Sequence, residues 1–180
     1  MAEKTKRKIV IRNVERRDRD DLIENYFKVY EEVKKNPLVG ITLFGKKPEL
    51  KKEHKWFSDL VKKVKNGEVV ALVAEVEGKA VGLCDMRTPS PQRESRHIGE
   101  IGILVREGYR SIGIGSLLFD RIIKEARKKK YELVTLKVFG TNKHAQNLYK
   151  KFGFKVYGVL PGGIARKGRR IDSVLMYLKL

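Results

Sequence analysis

Val105-Arg106-Glu107-Gly108-Tyr109-Arg110-Ser111-Ile112-Gly113-Ile114-Gly115-Ser116 lies between an apolar run and an amphipathic one. Upstream, Ile98 to Val105 is mostly apolar and reads as a strand. Downstream, Ile114, Leu118, Ile122 and Ala126 recur at helical spacing, with Leu117 widening the stripe. Gly113 and Gly115 therefore fall at a helix start, where unpaired backbone N–H groups and the positive end of the helix dipole are presented. Glycine removes Cβ atoms there and lets a phosphate approach those N–H groups. The bland alternative is a turn that merely needs glycine flexibility.

Two common phosphate loops are excluded. No Gly-Lys-Ser/Thr ending is present, so the mononucleotide loop is absent. The dinucleotide fingerprint needs a third glycine where Leu118 stands, and it wants a carboxylate after the next strand, where Leu133 to Val138 leads into Phe139-Gly140. The stretch matches a third pattern, Arg/Gln-x-x-Gly-x-Gly/Ala after a strand, as Arg110-Ser111-Ile112-Gly113-Ile114-Gly115. A second motif follows: Asn142-Lys143-His144-Ala145-Gln146-Asn147-Leu148-Tyr149-Lys150-Lys151-Phe152-Gly153-Phe154. Together, in this order and separated by a helix and a strand, the two motifs resemble those of the GNAT superfamily of acetyl-CoA-dependent N-acetyltransferases. The resemblance is close over residues 69 to 180 and holds in outline before that.

The resemblance implies an α/β fold in one domain spanning residues 1–180. It implies a mixed sheet of about seven strands with about four helices, the fourth and fifth strands splaying to admit the cofactor. It further implies acetyl-CoA as co-substrate. The pyrophosphate would rest on the backbone of Arg110, Ser111, Ile112, Gly113, Ile114, Gly115 and Ser116, and the pantetheine arm would lie along Ile103, Leu104 and Val105 like an added strand. The Val105 N–H would face the oxyanion of the tetrahedral intermediate. Tyr149 would protonate the departing thiolate, unless it is simply a core tyrosine on the face shared by Ala145, Leu148 and Phe152. Asn142 would bond the pantetheine arm, cap its helix, or do both.

Glu100 corresponds to the carboxylate that many family members use as base. A charged residue amid Ile98, Ile101 and Ile103 is otherwise costly unless partnered, so an ion-paired or edge glutamate is the alternative. Asp85 is a lesser candidate. Acetyltransferases of protein N-termini often carry a Glu where this chain has Lys137, a departure that counts against a protein N-terminus as acceptor without excluding it. His54, His97 and His144 lie far apart, with no partner at ligand spacing, so no metal is expected. Trp56, Phe57, Phe27 and Tyr30 read mainly as helix-face core, some within reach of the acceptor.

Composition bounds the rest. With 180 residues, 41% hydrophobic and 35% charged, the chain can build a full core and is not disordered. The charged start, Met1 to Lys8, lacks the apolar core of a signal peptide, and residues 1–7 are expected to be a flexible basic arm. A lone Cys84 permits no internal disulfide, so a cytoplasmic protein is expected, with no membrane contact. A net charge of +19 permits nucleic-acid or ribosome contact, but its spread along the chain favours a solvated surface of the Lys- and Glu-rich, thermophile-like kind.

Strands are expected over Lys8 to Asn13, Val69 to Glu77, Lys79 to Met86, Arg96 to Val105, Leu133 to Val138, Lys155 to Val159 and Ile171 to Leu178. Helices are expected from Asp18 or Asp20 to Lys34, around Leu50 to Val64, from Ile114 to Lys130 and from Asn142 to Lys151, with Gly153 as the last cap. Pro89-Ser90-Pro91 reads as a loop. Gly99 and Gly102 in the fourth strand mark either a bulge or close packing. The leading functional expectation is an N-acetyltransferase of a primary amine, a small amine or amino acid before a protein N-terminus or lysine, with a homodimer plausible. A non-catalytic nucleic-acid-binding protein on the same fold is the reading from a different class.

Overall fold

The computed structural model describes residues 8–40, 47–89 and 93–180. The expectations for residues 1–7 and for Ser90-Pro91 fall outside the described residues. Seven strands form one sheet: β1 (Ile9–Asn13), β2 (Val69–Val76), β3 (Lys79–Arg87), β4 (Ile98–Val105), β5 (Leu133–Phe139), β6 (Lys155–Arg166) and β7 (Arg169–Lys179). Their order across the sheet is β1-β2-β3-β4-β5-β7-β6. Four α-helices accompany them: α1 (Arg19–Lys35), α2 (Leu50–Lys65), α3 (Ile114–Lys128) and α4 (Lys143–Lys151). All neighbours are antiparallel except β4 and β5. This is the expected mixed α/β sheet.

The apolar run of β2 is buried along nearly its whole length because helices cover both faces. On one face, Ile114, Leu118, Phe119, Ile122 and Ala126 of α3 and Tyr149 of α4 pack against Leu72, Ala74, Cys84, Ile101 and Val134. On the other, Leu22 of α1 with Phe57 and Leu60 of α2 covers Ala71, Val73 and Ala80. The expected stripe of α3 is therefore its buried face, except that Leu117 is exposed and does not widen it.

Turn chemistry sets the hairpins. Glu77 and Gly78, like Lys167 and Gly168, are pairs with positive φ, which joins antiparallel strands through two residues with the correct twist. The second hairpin runs beyond the expected Val159 to Arg166. Pro161-Gly162-Gly163 signals a stop in sequence, but a register shift between Leu160 and Ile164 absorbs it and pairing resumes at Ile164 and Ile171. The register of β3 with β4 runs unbroken from Gly82–Val105 to Arg87–Glu100, and that of β4 with β5 from Ile98–Leu133 to Glu100–Thr135. Added Cβ atoms would crowd Met86 at Gly99 and Asp85 at Gly102, so both glycines mark close packing and not a bulge.

Candidate active site

The central opening follows from where pairing stops. β4 and β5 pair only at Ile98–Leu133, Gly99–Val134 and Glu100–Thr135. Beyond those pairs β4 continues to Val105 and β5 to Phe139, so the two strands part. On its other side β4 stays paired to β3, and Arg106 N–H donates to the Val81 carbonyl at 2.9 Å. That bond makes Gly82–Val105 a non-hydrogen-bonded pair, so the N–H and C=O of Val105 point into the gap. Alternation gives Ile103 the same orientation. An extended amide chain laid in the gap meets the groups that a neighbouring strand would meet. The cavity there encloses about 780 Å³ and is lined by α1, α2, β3, β4, β5 and α4.

The glycine turn closes one end. Gly113 is the N-cap of α3 in a left-handed conformation, φ 95°, and a Cβ placed there would meet nothing within 4 Å. That open space suits a phosphate approaching the first N–H groups of α3. Gly115 serves a different purpose: its Cβ would come within 3.0 Å of Leu148 Cδ2, so it lets α4 pack closely. Ile114 is buried, leaving its backbone alone for a ligand. Arg110 does not present a free guanidinium. It pairs with both carboxylate oxygens of Glu32, at 2.5 and 2.7 Å, and donates Nε to the Val105 carbonyl at 2.8 Å. This residue thus ties α1 to the turn and occupies the Val105 C=O, leaving the Val105 N–H facing the gap.

Tyr149 is both core and cavity wall. Its ring lies 5.0 Å from that of Phe119 and 6.2 Å from that of Phe154, and the residue also lines the opening. Burial, with the Cys84 thiol nearby, pushes the phenol well above its ordinary range and keeps it protonated at neutral pH. Asn142 accepts from Ala145 N–H at 3.0 Å as a helix cap and donates to the Gly40 carbonyl at 2.7 Å. Its side chain thereby anchors the segment after α1 over the cavity. Thr141 donates to Leu38 O, and Arg166 donates to Val39 O at 2.8 Å while stacking 4.7 Å from the Phe139 ring.

The opposite end is built on the α1/α2 face of the sheet. Asp85 stands directly across from Gly102, and a Cβ on Gly102 would lie 3.0 Å from Asp85 Oδ1, so glycine makes room for the carboxylate. Burial raises the Asp85 pKa, Arg87 at 3.5 Å partly opposes this, and Glu100 adds to it. Glu100 lies one row away, 39% exposed, holds Arg87 at 3.3 Å and does not line the cavity. Tyr26, Glu53 and Trp56 complete this end. Burial raises Glu53, and burial together with Glu53 raises Tyr26. Asn25 donates to Ala80 O at 2.7 Å, while its buried Oδ1 has no partner among the described residues.

The structure thus gathers Ile103, Leu104, Val105, Arg110, Ser111, Gly115, Asn142 and Tyr149 around one cavity and leaves Glu100 outside its wall. Of the aromatic residues, Trp56 faces the cavity and Phe57 the core. Tyr26, Glu53 and Asn25 were not legible in sequence: each sits on a helix whose polar residues look solvated until the sheet face opposite is known. No cluster of three metal-ligating side chains occurs among the described residues.

The profile of the acetyltransferase (GNAT) family matches residues 24–154. The chain belongs to that family. It is 37% identical over 156 residues to an uncharacterised N-acetyltransferase of Methanocaldococcus jannaschii, covering 84% of this chain and 63% of that protein. It is 29% identical over 106 residues to the L-amino acid N-acetyltransferase of Escherichia coli, covering 58% and 65%. The chain therefore spans a little under two thirds of the length of these relatives. Among solved structures, a ribosomal-protein-alanine N-acetyltransferase from Brucella melitensis is 27% identical with a TM-score of 0.81, covering 95% of this chain and 99% of that one. An acetyltransferase from Salmonella typhimurium, solved with acetyl-CoA, shares the fold at 20% identity and a TM-score of 0.81, covering 96% and 94%.

Proposed function

We propose that the chain is an acetyl-CoA-dependent N-acetyltransferase acting on the primary amine of a small molecule, with an amino acid the favoured acceptor. One observation carries this reading: the gap between β4 and β5 opens onto a buried tyrosine on one side and a partly buried carboxylate on the other. Acetyl-CoA supplies the activated acyl group. The chain holds its arm on the N–H and C=O groups of β4 and its pyrophosphate on the α3 turn, and Asn25 Oδ1 is an acceptor for a ligand N–H. Asp85 takes the proton from the acceptor's ammonium group, freeing the nitrogen lone pair to form the new C–N bond at the thioester carbonyl. The Val105 N–H stabilises the oxyanion. As the C–S bond breaks, Tyr149 gives its phenolic proton to the sulfur, and the second proton of the former ammonium group leaves the nitrogen as the amide forms and restores the phenol. Asp85 replaces Glu100 as base because it alone of the two lines the cavity.

Calorimetry with acetyl-CoA, followed by thiol release against a panel of amines, tests this. Saturable heat and acceptor-dependent thiol are expected; no heat and no thiol would sink the reading. A protein N-terminus is the second acceptor class, favoured by the 27% identity to the ribosomal-protein-alanine enzyme. Acetylation of a peptide in preference to every free amine would install it. The partner proposed for β6 is a second copy of the chain: this edge strand exposes Val156, Tyr157, Val159 and Leu160. Sedimentation showing a monomer at all concentrations would remove it.

A further inference from the structure

Lys137 stands in the same cross-sheet row as Asp85, and what lies between them is a glycine. Asp85 faces Gly102 across β3 and β4. Glu100 faces Thr135 in the last β4–β5 pair, and extending that register by two residues sets Gly102 and Lys137 at the same level on either side of the splay. In-register residues share a face, which puts Asp85 and Lys137 on the same floor with no side chain at Gly102 to separate them. Both line the cavity. Lys137 has no ion-pair or hydrogen-bond partner among the described residues, unlike Arg110, whose charge Glu32 neutralises.

The charge balance of the wall is equally informative. The molecule carries a net charge of +19, yet the described charged residues lining the cavity are Glu32, Glu53 and Asp85 against Arg110, Lys137 and Lys143, three of each sign. A polyamine would want a predominantly acidic wall, and a polyanionic acceptor a basic one. A balanced wall with an anion and a cation two strand spacings apart, about 10 Å plus the splay, suits a ligand bearing both charges. A lysine has a flexible four-carbon stem and reaches inward to close that distance.

Resting on the acetyltransferase reading above, we infer that Lys137 is the specificity determinant that binds the carboxylate of a free α-amino acid, whose ammonium group is presented to Asp85. Removing the carboxylate from the acceptor, or the ammonium group from Lys137, then breaks the same contact.

The test compares one free L-amino acid, its α-amide and its decarboxylated amine as acceptors for the full chain and for Lys137→Met and Lys137→Arg. The wild type is expected to favour the acid over both analogues by about tenfold or more in kcat/KM, the value of one charge-assisted contact. Lys137→Met is expected to erase that preference through KM, leaving kcat and the decarboxylated amine unchanged; Lys137→Arg is expected to restore most of it. Equal use of acid and amine by the wild type, or an equal loss on all three in Lys137→Met, would overturn the inference. Acetylation confined to a peptide N-terminus would overturn it too while leaving the acetyltransferase reading standing. Absence of acetyl-CoA heat would remove both.

Discussion

In the proposed mechanism one carboxylate, Asp85, and one phenol, Tyr149, divide the work at the scale of single residues. Asp85 is raised by burial, so the sign of its pH effects can be worked out. Only the carboxylate accepts a proton, so kcat/KM is expected to fall as pH drops through the raised Asp85 pKa. For stability the direction is opposite. The folded state holds this proton more tightly than the unfolded one, so the contribution is present below the ordinary carboxylate value and lost as pH rises through the folded value. Asp85→Asn is therefore expected to lower kcat/KM about 10²–10⁴-fold while raising Tm at neutral pH, a trade of stability for function. Thermal melts at two pH values, with the gain vanishing at the lower one, check it. Tyr149→Phe keeps the ring against Phe119 and Phe154, so Tm and acetyl-CoA affinity are expected to hold while kcat falls about 10²-fold or more. A loss of both affinity and Tm would make Tyr149 a core residue alone.

Elements differ in how much of themselves they show in sequence. The hairpin β2–β3 and helix α3 were legible because period and turn chemistry agree: Leu118 and Ile122 alternate helically, and Glu77-Gly78 is a strong turn. The length of β6 was not, since Pro161-Gly162-Gly163 reads as a break and pairing beyond it depends on a partner strand. The turn motif pointed to one end of the cavity, but not to the packing at Gly115, which lines the cavity and whose missing Cβ also lets Leu148 from another element come close. The proposed acceptor end was harder to read, and Asp85 stood only as a lesser candidate, because the register that places it against Gly102 is not visible in the sequence. The two glycines of the turn are expected to separate in experiment. Gly113→Ala must hold a left-handed conformation, at a cost of about 1–2 kcal/mol, and puts a methyl where the phosphate approaches. It should weaken acetyl-CoA binding in calorimetry. Gly115→Ala instead displaces Leu148, and its first readout is a lower Tm. At the far edge, Arg12 pairs with buried Asp18 at 2.6 and 2.8 Å and with Glu75 at 2.6 Å, and these bonds hold its guanidinium charged. Arg12→Met strands the Asp18 charge and is expected to cost about 3–5 kcal/mol, read by urea unfolding.

The whole molecule is a sheet divided in two. Strands β1 to β4 form one half and β5, β7 and β6 the other, joined edge to edge by three residue pairs. Elsewhere neighbouring strands share longer ladders, up to eight pairs between β2 and β3. The short seam has a mechanical meaning. It is expected to behave as a hinge, with a ligand arm in the gap acting as a removable strand that bolts the halves together. Acetyl-CoA is then expected to stiffen the protein along the seam, and to do so far beyond the atoms it touches. Hydrogen exchange should slow at the amides of Ile103 and Val105, and also at Val138 and Phe139 on the facing half, with protection growing as ligand rises above its Kd. CoA lacking the acetyl group should do the same, because the bolt is the pantetheine amide chain and not the acyl group. The gap that admits the cofactor is thus also the place where this fold, without it, is expected to open most readily.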